Sequence, residues 1–149
     1  MTMQKAPTHL WIIGILSLLW NGFGAFNYVA TQTRNDAWVA GMLPDVDPQI
    51  IYDWMDRAPI VVDLFWALGV WFALAGSILL LLRKSLAVQA FALSLVGAIG
   101  GLILQVLNVG DRPAVLGGGQ FDPVMLAVVV IAFALLGYAR KQKANGVLS

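Results

Sequence analysis

The sequence contains no cysteine and no glutamate, and its single histidine is His9. Without Cys there is no disulfide, no thiolate nucleophile, no redox pair and no Cys-built zinc site. One His cannot supply a multi-histidine metal site, so no metal and no cofactor are expected. Charge is scarce as well. Of 149 residues only 11% are charged, against about 25% in a soluble domain. What fills the chain instead is apolar: 60% of residues are hydrophobic and the mean hydropathy is +0.80. A water-soluble globule of this size would have to expose too much of that surface. The composition therefore excludes a soluble enzyme, a disordered chain and a nucleic-acid binder.

The apolar residues are grouped. A helix needs about 20 of them to cross about 30 Å of hydrocarbon, and four segments qualify: residues 10–30, 60–82, 86–109 and, shorter, 123–138. The expected fold is an all-α membrane protein, a four-transmembrane-helix bundle forming a single domain over residues 1–149. The apolar run of the first segment is longer than a signal-peptide h-region, and Asn21 and Asn27 interrupt it, so it reads as a retained span. The shorter fourth segment is expected to stand nearly upright or to thin the bilayer slightly.

The few charges are segregated. Lys5, Arg83, Lys84, Arg140, Lys141 and Lys143 fall on one side of the spans with no acid among them. All eight acids are Asp, and they fall on the other side or at its helix ends, with Arg34, Arg57 and Arg112. Cationic loops stay in the cytoplasm, so the expected topology is a multi-pass protein of the bacterial inner membrane with both chain ends cytoplasmic. The first outward loop, about residues 31–59, carries a helix signature. Asp47 is a natural N-cap and Pro48 suits the first helical position, and Ile50, Ile51, Trp54 and Met55 then fall on one face. This predicts a short amphipathic helix on the membrane surface or over the bundle. Asp53 and Arg57 are spaced for an i,i+4 pair. Tyr28, Tyr52 and Trp54 read as an aromatic belt.

Helices in lipid associate through close approach and buried polar contacts. Gly69, Ala73 and Gly76 on the second span, with Gly97 and Gly101 on the third, are the packing positions expected. Near the bilayer centre, Asn21 and Trp71 lie at one depth and are a plausible polar contact. No ionisable residue lies at the midplane. The nearest is Asp63, about one turn inside the second span. Asn27, Gln105 and Asn108 lie at similar depth, and Trp66 follows Asp63 by three residues on the same side of the helix. These five form the candidate polar pocket, suited to a small polar solute such as a sugar; the same residues also suit helix capping and cross-bundle hydrogen bonding. The acidic loop lacks the spacing of a calcium loop, and the Gly117–Gly119 run lacks the context of a phosphate loop.

The stretch P-T-H-L-W-I-I-G-I-L-S-L-L-W-N-G-F-G-A-F-N-Y (Pro7 to Tyr28), the core A-L-G-V-W-F-A-L-A-G-S-I-L-L-L-L within Trp66 to Leu82, and L-S-L-V-G-A (Leu93 to Ala98) resemble a group of small bacterial membrane proteins, some of which are labelled sugar transporters. The resemblance covers the first three spans. It implies a four-helix inner-membrane protein and brings no catalytic residues. The expected function is that of a non-enzymatic structural, accessory or partner-binding protein; the alternative is a small-solute transporter or transport subunit using the outward polar cluster. The expected partners are the lipid bilayer and a second membrane-protein chain, either a copy of this one or another protein.

Overall fold

The structure, a computed structural model, describes residues 4–120 and 122–149. It is all-helical, with six α-helices in the order α1 (Thr8–Gln32), α2 (Asp36–Met42), α3 (Pro48–Arg57), α4 (Ile60–Leu81), α5 (Leu86–Val106) and α6 (Pro123–Ala144), and a 3₁₀ turn at Ala114–Leu116. Helices α1, α4, α5 and α6 are each long and apolar enough to cross a membrane. The chain is a multi-pass membrane protein built as a four-helix bundle. Large apolar side chains such as Leu19, Phe26, Leu64 and Phe133 are more than half exposed on it, as lipid-facing positions must be.

Helix α6 corrects the short fourth span. It runs on past Tyr138 through Arg140, Lys141 and Lys143 to Ala144, 22 residues in all, or about 33 Å. The basic residues end the apolar stretch without ending the helix, because Lys and Arg are good helix formers and sit well at a helix C-terminus.

The four spans pack in the order α1, α4, α5, α6, each mainly against its neighbours in that row. The ends of the bundle differ in charge, and we call them basic and acidic. At the basic end the residues after α6 turn back into the bundle. Ser149 N–H donates to the Arg83 carbonyl (2.9 Å) and Ser85 N–H donates to the Ser149 carbonyl (2.8 Å). Val147 and Leu148 join Leu10, Leu80, Phe91 and Leu135 in the main apolar core. At this end α1 also meets α6, where His9 Nδ1 contacts the Tyr138 hydroxyl.

The tightest crossing is between α4 and α5. A Cβ on Gly97 would lie 2.3 Å from Gly69 N, so the two backbones touch. Ser94 fastens the crossing by donating to the Gly69 carbonyl (2.8 Å). Gly76 lies against Phe91, and Gly101 faces Met125 of α6. The expected packing positions Gly69, Gly76, Gly97 and Gly101 therefore all lie at helix contacts, but Gly97 and Gly101 serve different neighbours. At mid-bundle the expected Asn21–Trp71 contact is replaced. Asn21 Nδ2 donates to Ser77 Oγ (2.8 Å) and to the Ala73 carbonyl (3.3 Å), while Trp71 packs edge-on to Tyr28 (centroids 6.0 Å apart). The indole is too far round α4 to face Asn21, because Ala73 and Ser77, one turn apart, own that stripe of the helix.

The acidic end carries a cap. Helix α3 begins as its sequence dictates, with Asp47 Oδ1 accepting from Gln49 N–H (3.0 Å) and Pro48 at the first position. Helix α2, not expected from the sequence, starts where Asn35 Oδ1 accepts from Trp38 N–H (3.1 Å). Between them lies a small core of Val39, Val46, Ile51 and Tyr52, with Met55 and Leu116 against it. Tyr52 is 1% exposed and Trp54 7%. Both therefore leave the expected belt and become interior residues of the cap. Asp53 and Arg57 form no ion pair: Arg57 Nε donates to the Asp53 backbone carbonyl (2.9 Å).

Candidate functional site

Asp63 sits in the first turn of α4, where the helix dipole favours a carboxylate. Two residues of α1, one turn apart, reach it. The Tyr28 hydroxyl lies 3.3 Å from each carboxylate oxygen, and Gln32 Nε2 donates to Oδ1. Trp66 stands one turn further along α4, its ring edge-on to Tyr28 with centroids 4.8 Å apart. Asp63, Gln32 and Trp66 line a cleft of about 240 Å³. Trp54 and Met55 of α3, with Ala58 and Pro59, line it as well. The Arg34–Asp56 ion pair (2.6 Å) stands at the mouth, both side chains more than half exposed. Such a pair contributes little stability, about 0–1 kcal/mol, but it neutralises the rim. Among the described residues no cation pairs with Asp63; its donors are a phenol and an amide.

Asn27 belongs elsewhere. Its Oδ1 accepts from Trp38 Nε1 (2.9 Å), and the Trp38 ring packs on Phe26 (4.7 Å) and Phe23 (5.7 Å). Asn27 thus fastens α2 to α1. It is one residue from Tyr28, about 100° round the helix, so it cannot share that residue's face.

Gln105 and Asn108 form a third cluster at the end of α5. Gln105 Nε2 donates to the Gly117 carbonyl (3.2 Å), and Gly119 N–H donates to the Gln105 carbonyl (3.0 Å). Arg112 donates to Gln105 Oε1 (3.4 Å), and its guanidinium lies over the Trp54 ring, 5.1 Å from the centroid. Trp54 Nε1 donates to the Gly110 carbonyl (3.0 Å). The loop closes so tightly that a Cβ on Gly118 would lie 1.8 Å from the Arg112 carbonyl oxygen, which explains glycine there. Burial pushes the Arg112 pKa below its ordinary value, and the Asp122 charge opposes that shift. Asn108 Oδ1 and Arg112 Nε are buried without partners.

The expected five-residue pocket is therefore three separate clusters. The structure keeps Asp63 and Trp66 together, places Asn27 against α2, and places Gln105 and Asn108 against the glycine loop. It adds Gln32, Trp54 and Arg34 to the cleft, with Tyr28 behind it as a partner of Asp63. Tyr28 and Gln32 carried a readable signal, since polar residues four apart at a helix end share a face. Arg34 and Trp54 come from the cap, whose docking the sequence does not specify. Among the described residues no three His or Asp side chains gather as a metal site. No protein-family model matches the chain, and no curated protein or solved structure matches it.

Proposed function

We propose that this is a non-enzymatic protein of the bacterial inner membrane that holds a small polar solute in the cleft around Asp63, as a binding or transport subunit. The single observation that carries the reading is Asp63 itself. An ionisable side chain within a membrane-spanning helix marks a functional candidate. This one is held by two neutral donors, keeps acceptor capacity and borders a cleft walled by Trp54 and Trp66. Solutes with several hydroxyl or ammonium donors, a small sugar among them, suit a carboxylate and an amide beside indole faces. The volume is below the roughly 300–1,000 Å³ of drug-sized sites, which favours a small ligand. The close α4–α5 crossing fills the middle of the bundle, so passage across the membrane would need a second subunit. The cytoplasmic assignment of the basic end rests on the charge segregation, and the bacterial assignment on the resemblance of the first three spans.

A second reading, an accessory protein that packs with a membrane partner, is favoured by the other polar residues. Asn27, Gln105 and Arg112 are all engaged in holding the cap and glycine loop. A thermal-shift screen of purified protein against a panel of small polar solutes separates the two. The expected result is a solute that stabilises the wild type and loses about tenfold in affinity with Asp63→Asn, the effect of one charge-assisted hydrogen bond. A panel without effect, together with reduced abundance of Asp63→Asn, favours the accessory role.

A further inference from the structure

The basic end holds a second cavity, of opposite electrostatic character and about 310 Å³ in volume. Gln4 and Lys5 before α1, His9 in its first turn, and Gln142 and Asn145 at the end of α6 line it. Its walls are fixed by backbone bonds. Gln4 N–H donates to the Gly146 carbonyl (3.2 Å), and the Arg83 guanidinium donates to the carbonyls of Gln4 and Val147. His9 is held by Tyr138.

Gln142 is the informative residue. It is 2% exposed, and its side-chain amide makes no hydrogen bond to the protein among the described residues. The amide is not sealed in, because Gln142 lines the cavity. With no protein partner among the described residues, it is available to whatever occupies the cavity. The one charged group beside it is the Lys5 ammonium, with three N–H bonds and no acceptor; His9 and the amides of Gln4 and Asn145 can each donate as well. Arg83, Lys84, Arg140, Lys141 and Lys143 surround this end, and no acid in the sequence lies within 20 residues of Lys5, Arg83, Lys84 or Gln142 except Asp63 and Asp122, which are on helices starting at the far end. Three of the four carbonyls that end α6 already accept a backbone bond, Asn145, Gly146 and Val147 donating to Lys141, Lys143 and Gln142. The depth is also informative. Trp11 is part-exposed just inside α1, and Tyr138 lies beside the site. Such residues sit at the headgroup level of a bilayer.

We infer that this cavity binds a phosphate group, carried by an anionic phospholipid or by a soluble phosphate anion. A tetrahedral oxyanion offers acceptors in several directions to donors converging from two chain segments. The inference is independent of the Asp63 cleft, which lies at the other end of the molecule.

The test uses the intact protein in neutral detergent, with phosphatidylglycerol, phosphatidylcholine of the same chains, and inorganic phosphate as probes. Native mass spectrometry counts bound lipid, and thermal unfolding reports phosphate. Retention of phosphatidylglycerol over phosphatidylcholine is expected. Lys5→Gln, at an exposed side chain that should not disturb folding, is expected to weaken it about tenfold, while Lys143→Gln, outside the cavity with the same charge change, stays within about twofold. Gln142→Leu should act like Lys5→Gln if it folds. Stabilisation by inorganic phosphate alone, lost in Lys5→Gln, identifies a soluble anion as the source. Equal losses in Lys5→Gln and Lys143→Gln would mean a diffuse basic patch and overturn the site, as would a wild type that binds neither probe.

Discussion

Alanine at Gly97 and alanine at Gly69 should have opposite effects on the same helix crossing. A Cβ on Gly97 would lie 2.3 Å from Gly69 N, 2.6 Å from Gly69 Cα and 2.9 Å from Leu68 C. These are backbone atoms, so no rotamer change relieves them. Restoring ordinary contact at about 3.5 Å requires α4 and α5 to part by about 1 Å. The Ser94 hydroxyl, now 2.8 Å from the Gly69 carbonyl, would then lie beyond hydrogen-bond range. Overpacking costs about 1–3 kcal/mol and the lost interhelical bond about 0.6 kcal/mol, offset in part by the better helix propensity of Ala, up to about 1 kcal/mol. The expected net loss for Gly97→Ala is about 1–3 kcal/mol. On Gly69 the added Cβ meets Ala98 N at 3.5 Å and Gly97 C at 3.6 Å, which is normal contact. Gly69→Ala should therefore be neutral or stabilising by up to about 1 kcal/mol. Reversible unfolding in mixed micelles, followed by far-UV circular dichroism, measures both. Equal effects of the two alanines would refute the reasoning, since they would mean that the backbone approach is not what limits this crossing.

Three further outcomes follow from the hydrogen bonds. Asn21→Leu should lower bundle stability by about 1 kcal/mol in the same unfolding assay, whereas Trp71→Phe should leave the Asn21 contribution intact; non-additivity of the pair would contradict the separation of these residues. Trp54→Phe removes the bond to Gly110 (3.0 Å) and weakens the Arg112 stacking, loosening the cap by about 1–2 kcal/mol; cleavage within residues 33–59 by limited proteolysis should accelerate about tenfold, and an unchanged rate would count against it. Burial, aided by the Asp36 carboxylate and opposed by Arg34, raises the pKa of Tyr52 above its ordinary value. The neutral phenol is then favoured in the folded cap, so this stability is complete below about pH 10 and is lost as pH rises through the raised value. Tyr52→Phe should diminish the alkaline transition of the cap seen by tryptophan fluorescence, with little change near neutrality; identical transitions in both proteins would refute the assignment.

The spans were legible because their signal is long and local. Residues 60–82 of the sequence reading became Ile60–Leu81, and the Asp47–Pro48 start of α3 was correct to the residue. Helix α2 was not legible, since seven residues with a lone Asn cap carry little periodicity. The polar cluster failed for a geometric reason. Depth in the membrane follows from position along a span, but contact also depends on rotation about the helix axis. Asn27, Asp63, Gln105 and Asn108 share a depth and not a direction. The same omission misplaced Trp71 relative to Asn21. What sequence did retain was the pair Asp63 and Trp66, because three residues on one helix fix both depth and face. Tyr52 and Trp54 read as belt residues because amphipathic aromatics suit an interface as well as an interior; their burial depends on α2, which was missing from the reading.

The row order of the helices sets a gradient of local opening. Helices α4 and α5 each have a spanning neighbour on both sides and share a backbone-to-backbone crossing, while α1 and α6 each lean on one long neighbour and meet one another at the basic end. Opening free energy follows the contacts that must be broken. The amides of the central hairpin are thus the slowest to exchange, and those of α6 near the acidic end, furthest from the turned-back Val147–Ser149 segment, are the fastest in the spans. The corresponding half of α1 is held by the bonds of Tyr28 and Gln32 to Asp63 and of Asn27 to Trp38, so the gradient runs mainly across the row.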